Sequence, residues 1–330
     1  MSDILTSTDV AFAIAAVREA AVLVRRVQHE MVGEALSKDD KSPVTVADFA
    51  AQAIVTRRLH ERFPGATLIG EENASALRSA ESGETLSQIE QIVQTVAPEA
   101  TADEVCQWID RGAGEPPAVY WTLDPVDGTK GFLRHDQYAV ALALIEDGEV
   151  TIGVLGCPEL EGGVTPAKGG EGSIIAAVRG EGCWTQPLSG AVDHWTRLRV
   201  APTSDVRQAR LLRSVEKSHT DVGGIDGLIQ TLGITADAVP MDSQAKYAVL
   251  AAGGGDVLLR LLSPSRPDYR EKVWDQAAGS IVVEEAGGRV TDLDGKRLDF
   301  SHGRTLAVNR GVIATNGKLH DSFLAALSKT

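Results

Sequence analysis

Cysteine is scarce in this chain of 330 residues: Cys106, Cys157 and Cys183 are its only three. They are far apart and odd in number, which excludes a disulfide framework and a zinc-binding spacing. Free cysteine behaves as a small buried hydrophobe, so the three read as reduced thiols and favour a reducing compartment. Long apolar runs are missing too: no stretch approaches the roughly 20 residues needed to cross a bilayer. The N-terminus carries Asp3 and Asp9 instead of the basic start of a secretory signal. The expectation is a cytoplasmic chain with no membrane partner, with an organelle left open because a mature organellar protein loses its transit peptide. Basic charge is also short: 32 Lys and Arg against 46 Asp and Glu give a net charge of −14. Such a surface repels polyanions, so a nucleic-acid polymer is not an expected partner. A small phosphorylated molecule needs only local positive charge, which a bound cation supplies. Otherwise the composition is ordinary for a globular protein, at 43% hydrophobic and 24% charged residues, without repeats. The length fits one large domain or two subdomains.

Ala13, Val17, Val24 and Val27, with charges between them, predict a helix over about 9–31, capped by Thr8 or Asp9. Thr45-Val46-Ala47-Asp48 reads as a capping box opening a helix that stops at Phe63-Pro64-Gly65. Residues 66–70 form a short strand with Glu71-Glu72 at its end. Residues 73–118 read as a surface excursion, a lid candidate, with one helix over 87–96. A strand over 119–123 delivers the loop Asp124-Pro125-Val126-Asp127-Gly128-Thr129. Strands over 138–146 and 150–155 flank the hairpin signal Asp147-Gly148, and 173–178 with 182–185 repeat the pattern. These imply a large, mainly antiparallel sheet. Past about residue 200 the elements alternate: strand 211–215, helix 243–252, strand 256–261, helix 274–286 ended by Gly287-Gly288, strand 311–315 and a last helix. The reading is an α/β chain with an N-terminal α+β part, 1–200, and a smaller α/β subdomain, 201–330.

Four acids stand at the ends of predicted elements: Glu71, Asp124, Asp127 and Asp275. Such positions are held by rigid structure yet face open loops, where catalytic groups are commonly placed. Pro125 restricts the backbone around Asp124. Both aspartates can then point to one side, and the Val126 carbonyl can join them. Hard divalent cations want oxygen donors of this kind. Gly128 permits a turn few residues could make and brings the Thr129 hydroxyl towards a water or phosphate. Each piece also has a plain structural reading. Asp-Pro-x-Asp-Gly is a common turn composition, Glu71-Glu72 is a solvated strand end, and Asp275 is a favourable acid in a first helical turn. Their co-occurrence carries the functional reading.

Three segments together resemble a known family: Gly70-Glu71-Glu72, Trp121-Thr122-Leu123-Asp124-Pro125-Val126-Asp127-Gly128-Thr129-Lys130-Gly131-Phe132, and Trp274-Asp275-Gln276-Ala277-Ala278-Gly279. They are similar to the signature segments of the lithium-sensitive, magnesium-dependent phosphatases, which include inositol monophosphatases and fructose-1,6-bisphosphatases. The segments from Asp39 to Asp48, Thr129 to Arg134, Ser214 to His219 and Gly288 to Asp292 resemble the 3′(2′),5′-bisphosphate nucleotidase branch. The resemblance implies an inositol monophosphatase/sugar phosphatase-like fold, a layered αβαβα sandwich. It implies hydrolysis of the 3′-phosphate of 3′-phosphoadenosine 5′-phosphate to AMP and phosphate, with the 5′-phosphosulfate as a second substrate.

By the same resemblance, Glu71, Asp124, the Val126 carbonyl, Asp127 and Asp275 hold up to three Mg²⁺ ions. Asp48 acts as general base with Thr129 as its partner, although Asp48 also fits a plain capping role. His219, Ser243, Lys246 and Arg260 fit nucleotide contacts: His219 on adenine or a phosphate, Ser243 and Lys246 on one phosphate, Arg260 on the 5′-phosphate. Trp121 and Trp274 read as packing anchors. Relatives of this branch imply a monomer. Two alternatives stay open: an inositol or sugar phosphatase, and a catalytically silent nucleotide or metal sensor.

Overall fold

A computed structural model describes residues 3–32, 42–189, 194–214 and 221–328. Helix α1 (Thr8–Met31) buries Ala13, Val17, Ala20, Val24 and Val27 completely, because spacings of three and four residues share one helical face. Ser7 takes the N-cap position, so Thr8 and Asp9 fall inside the first turn. Helix α2 (Ser42–Arg62) packs on α1. It starts ahead of Thr45, so Thr45 lies within the helix and not at its cap; Pro43 is tolerated there because a first-turn residue has no intrahelical use for its N–H. Strand β1 (Leu68–Gly70) follows.

Residues 73–118 are not a loose excursion. Helices α3 (Gly83–Gln94) and α4 (Ala102–Asp110) pack on α2 and bury Ile89, Val93, Val105 and Ile109. A capping box does occur here: the Thr101 hydroxyl accepts from the Glu104 N–H, and the Glu104 carboxylate accepts from the Thr101 N–H. The apolar stripe of α4 is only about two turns long, too short to announce itself in the pattern.

Strand β2 (Val119–Asp127) leads through a short helix, α5 (Thr129–Leu133), to β3 (Ala139–Glu146) and β4 (Glu149–Cys157). Asp147 and Gly148, at φ 49° and 81°, make the two-residue turn expected between β3 and β4. A side hairpin, β5 (Leu160–Glu161) with β6 (Thr165–Pro166), precedes β7 (Ser173–Val178), β8 (Gly182–Pro187) and β9 (Thr196–Arg197). The resulting seven-stranded sheet has the order β1-β2-β3-β4-β7-β8-β9. Its β1–β2 pair is parallel and its other pairs are antiparallel.

The rest of the chain builds a five-stranded sheet from β10 (Leu211–Arg213), β11 (Val239–Pro240), β12 (Val257–Arg260), β13 (Arg289–Thr291) and β14 (Val312–Thr315). Four helices accompany it: α6 (Val222–Leu232), α7 (Ala245–Ala251), α8 (Ala277–Glu285) and α9 (His320–Leu327). One face of the large sheet sets Trp121, Leu123, Val140 and Leu142 against α1 and α2. The alternate residues Ala141, Ala143 and Ile145 meet α7 and α8, whose other sides meet Leu212, Leu258 and Ala314. Gly153 allows the approach of α8: a Cβ there would lie 2.3 Å from Ile281 Cγ2. Helices α6 and α9 cover the outer face of the second sheet through Ile225, Leu228 and Phe323. The layers therefore run α-β-α-β-α, as the resemblance implied. Each fully buried Leu, Ile or Phe side chain in them contributes about 1.5–3 kcal/mol.

Candidate active site

The C-terminal end of β2 opens into a cavity of about 510 Å³. Along this end the pairing with β3 slips: Asp124 faces Ala141, but Asp127 faces Ala139. The extra residue on β2 makes a bulge. Pro125 has no N–H to give the ladder, so the ladder breaks there. The predicted loop after Leu123 is thus a bulged strand end carrying both aspartates. Gly128 follows at φ 95°; a Cβ there would sit 2.7 Å from Ser243 Cβ and 3.2 Å from the Gln137 carbonyl oxygen, so only glycine fits. Thr129 then starts α5 on the cavity wall.

Glu71, Asp124, Val126, Asp127 and Asp275 line this cavity together. Parallel pairing sets Gly70 beside Leu123, so Glu71 and Asp124 emerge side by side. Glu71 is open to cavity water at its surface, yet protein crowds its carboxylate. Burial first, then Glu72 and Asp127, raise its pKa to about 7, while a hydrogen bond with Asp124 and the charge of Lys272 restrain the rise. Asp124 is 2% exposed. Burial, then Glu71, Asp127, Asp275 and Asp48, push its pKa far up. Its Oδ1 is buried without a hydrogen-bond partner.

Asp275 is pushed up by burial above all; Arg260 opposes that and Asp127 adds to it. It stands in a turn before α8, not inside a helix starting at Trp274, because Gln276 at φ −126° departs from helical geometry. Asp48, in α2, is not among the residues lining the cavity, but its charge acts on Asp124. Burial, Glu72 and Glu71 raise its pKa well above the carboxylate range.

These carboxylates fit a hard cation. All the donors are oxygens, one is an orphan, and their mutual repulsion has no internal remedy as strong as a divalent charge. Crowding raises the proton affinity of both Glu71 and Asp124, and a cation there would relieve the same repulsion. Among the described residues no three Asp, Glu, His or Cys side chains already stand in coordination geometry.

Ser243, Lys246 and Arg260 line the same cavity, where burial raises the Asp127 pKa and the charges of Lys246 and Arg260 oppose the rise. Helix α7 begins at Ala245, so Ser243 stands ahead of it at φ 63° and not in its first turn. Its hydroxyl accepts from the Ala245 N–H at 3.1 Å, a local bond that competes with helix. Ser243 and Lys246 still lie one turn apart, since the Lys246 N–H reaches the Ser243 carbonyl at 3.2 Å. Burial lowers the Lys246 pKa to about 8, opposed by Asp127. Arg260 ends β12, and its Nη2 donates to Glu271 at 2.8 Å. Burial works against its charge, but Glu271 keeps it firmly protonated. His219 lies outside the described residues.

Trp121 packs edge-on against Phe12 at 5.4 Å. Trp274 packs against the Arg304 guanidinium, 4.8 Å away, and also borders the cavity. All three cysteines are buried and unpaired.

The sequence profile of the Inositol monophosphatase family matches residues 5–330. The chain belongs to this family. A curated 3′(2′),5′-bisphosphate nucleotidase of Emericella nidulans is 41% identical over 340 residues, covering 95% of this chain and 96% of that one. Another, of Schizosaccharomyces pombe, is 42% identical over 332 residues, covering 95% and 93%. The solved structure of a Thermotoga maritima IMPase aligns at TM-score 0.63 over 97% of each chain, with 20% identity, a likeness of fold.

What sequence reading missed in this family member are the residues that hold others in place. Gln244 is one. Its backbone N–H donates to Asp127 Oδ2 at 2.5 Å. Its side-chain amide donates to the Trp274 carbonyl at 3.0 Å and accepts from the Gly279 N–H at 3.1 Å. One residue thereby ties the Asp127 strand end to the Asp275 turn. A lone glutamine in an apolar helix start gives no pattern to read. Asp242 is a second: the Ser214 hydroxyl and the Arg134 guanidinium both donate to it. Lys272, beside Glu71, lies two residues ahead of the Trp274-Asp275 segment and could have been found by reading upstream.

Proposed function

We propose that this chain is a magnesium-dependent phosphomonoesterase that removes the 3′-phosphate of 3′-phosphoadenosine 5′-phosphate, giving AMP and phosphate, with the 5′-phosphosulfate as a second substrate. The observation that carries the proposal is the cavity itself. It gathers Glu71, Asp124, Asp127 and Asp275 with Lys246 and Arg260 around one space. The named activity of relatives about 40% identical over nearly the whole chain supports this substrate.

Glu71, Asp124, the Val126 carbonyl, Asp127 and Asp275 would hold the metal. Bound Mg²⁺ supplies positive charge to the phosphate oxygens and lowers the pKa of water. Asp48 accepts the proton of the attacking water, a role its raised proton affinity suits. Thr129 orients that water. Ser243 and Lys246 hold one phosphate, and Arg260 binds the 5′-phosphate, with His219 on the nucleotide. Charge and positioning account for the rate, so no side chain need form a bond to phosphorus. The buried thiols remain spectators and support a reducing, cytoplasmic setting. The chain acts as a monomer and divides near residue 200 into its two parts.

A substrate panel tests this. Adenosine 3′,5′-bisphosphate should turn over faster than inositol 1-phosphate or fructose 1,6-bisphosphate, only with Mg²⁺, and Li⁺ should inhibit. Faster turnover of inositol phosphate would sink the nucleotide reading, and absence of Mg²⁺-dependent phosphate release would sink the enzyme reading.

A further inference from the structure

We propose that Glu271 is a positioning residue that sets which phosphate ester this site prefers, by aiming Arg260 at the anionic group farthest from the cleaved bond. This rests on the nucleotidase reading above. Arg260 stands where the main cavity adjoins a smaller one of about 280 Å³, and Arg260 and Tyr269 line both. The Arg260 Nε is buried with no hydrogen-bond partner. Its Nη2 is held by Glu271 Oε2 at 2.8 Å. A guanidinium that lines the cavity and is tied at one nitrogen offers its remaining donors to an anion in a fixed direction.

The tie continues into the core. Glu271 is only 4% exposed, and the same Oε2 accepts from Gln276 Nε2 at 2.8 Å. The Tyr247 hydroxyl in turn donates to Gln276 Oε1. Tyr247 and Gln276 are 3% and 2% exposed. A buried acid taking two donors on one oxygen has little freedom to swing, so the chain Tyr247–Gln276–Glu271 fixes Arg260 in one direction. Because Arg260 and Glu271 neutralise each other, a substrate without a distal phosphate leaves the pair satisfied and gains nothing from it. A substrate with one gains a preset donor. Gln276 directly follows Asp275, so the chain also joins the distal anion site to the turn that carries this acid.

The test compares kcat and KM for adenosine 3′,5′-bisphosphate and adenosine 3′-monophosphate, using the Mg²⁺-loaded full chain. Wild type should prefer the bisphosphate. Glu271→Gln should cut that preference about tenfold, through KM for the bisphosphate, as befits a misdirected charged hydrogen bond. Tyr247→Phe, which deletes one hydroxyl and keeps the ring, should cut it less and in the same direction; it decides the matter where Glu271→Gln does not fold. In an Arg260→Ala background, Glu271→Gln should bring no further loss of preference. An unchanged preference in the folded variants, or an equal loss in that background, overturns the inference. A wild type that does not prefer the bisphosphate overturns the nucleotidase reading, and this one with it.

Discussion

Gln244→Met replaces the residue that ties the two acidic segments while keeping a straight side chain of similar length. The Trp274 carbonyl and the Gly279 N–H then each lose their Gln244 bond. Gln244 is 2% exposed, so water cannot substitute. An unmet buried polar group costs about 1–3 kcal/mol, and two such groups make roughly 2–6 kcal/mol. The backbone bond to Asp127 survives, because any residue supplies it. Asp127 therefore stays in place while the Asp275 turn loosens. Urea unfolding without metal should show a loss near 3 kcal/mol at unchanged slope, and the Mg²⁺ concentration giving half-maximal activity should rise. Gln244→Glu keeps the acceptor for Gly279 and should lose less, provided its carboxyl takes up a proton in that dry site. A Gln244→Met variant within 1 kcal/mol of wild type would refute the reasoning, because the two backbone groups would then have other partners.

Three further tests follow from the same geometry. Asp124→Asn removes an ionisable group that the fold buries at a cost, so in chelator the variant should melt at or above the wild-type temperature while phosphate release falls a hundredfold or more, roughly the weight expected for a lost metal ligand; a lower melting temperature would contradict the crowding of these acids. Gly128→Ala puts an alanine at φ 95° with its Cβ against Ser243, costing about 1–2 kcal/mol for the left-handed backbone alone, and should weaken Mg²⁺ binding in calorimetry by shifting Gln244 from Asp127. His320 is fully buried, bonded to Thr291 and Thr315, and burial lowers its pKa from 6.5 to about 4. The unfolded chain takes up this proton first, so stability should fall between pH 6.5 and about 4 and level off below. About 1–2 kcal/mol of that loss belongs to His320 once screening is allowed for; urea midpoints at pH 7 and pH 5 should differ less in His320→Asn, and an equal difference would remove the assignment.

The chain's own pattern made much of this molecule legible. The stripe of α1, the Asp147-Gly148 turn and the run of strands into β8 are local: they depend on apolar period and on residues that tolerate a positive φ. The acids of the β2 end could be picked out because Pro125 and Gly128 punctuate the sequence beside them. Where the reading failed, longer-range forces had decided. Thr45 had the chemistry of a cap, but the start of α2 lay earlier. Residues 73–118 looked loose because α4 has too few apolar positions to show a period, yet α2 offers those positions a surface to pack on. Ser243 was read into a helix, and its contact with Gly128 lies more than a hundred residues away in the chain.

By itself the sequence determined which groups this protein can use: clustered carboxylates suited to a hard cation, a further acid in Asp48, and cationic side chains. Residue types and their spacing along one strand or one turn carry that information. Only the tertiary structure decided how those groups are aimed. The parallel pairing of β1 with β2 sets Glu71 beside Asp124. Gln244 fixes Asp127 relative to Asp275, and Glu271 fixes Arg260. Each of these ties is a hydrogen bond or strand pairing between segments remote in sequence, and it forms only because burial leaves its polar groups no water to bond instead.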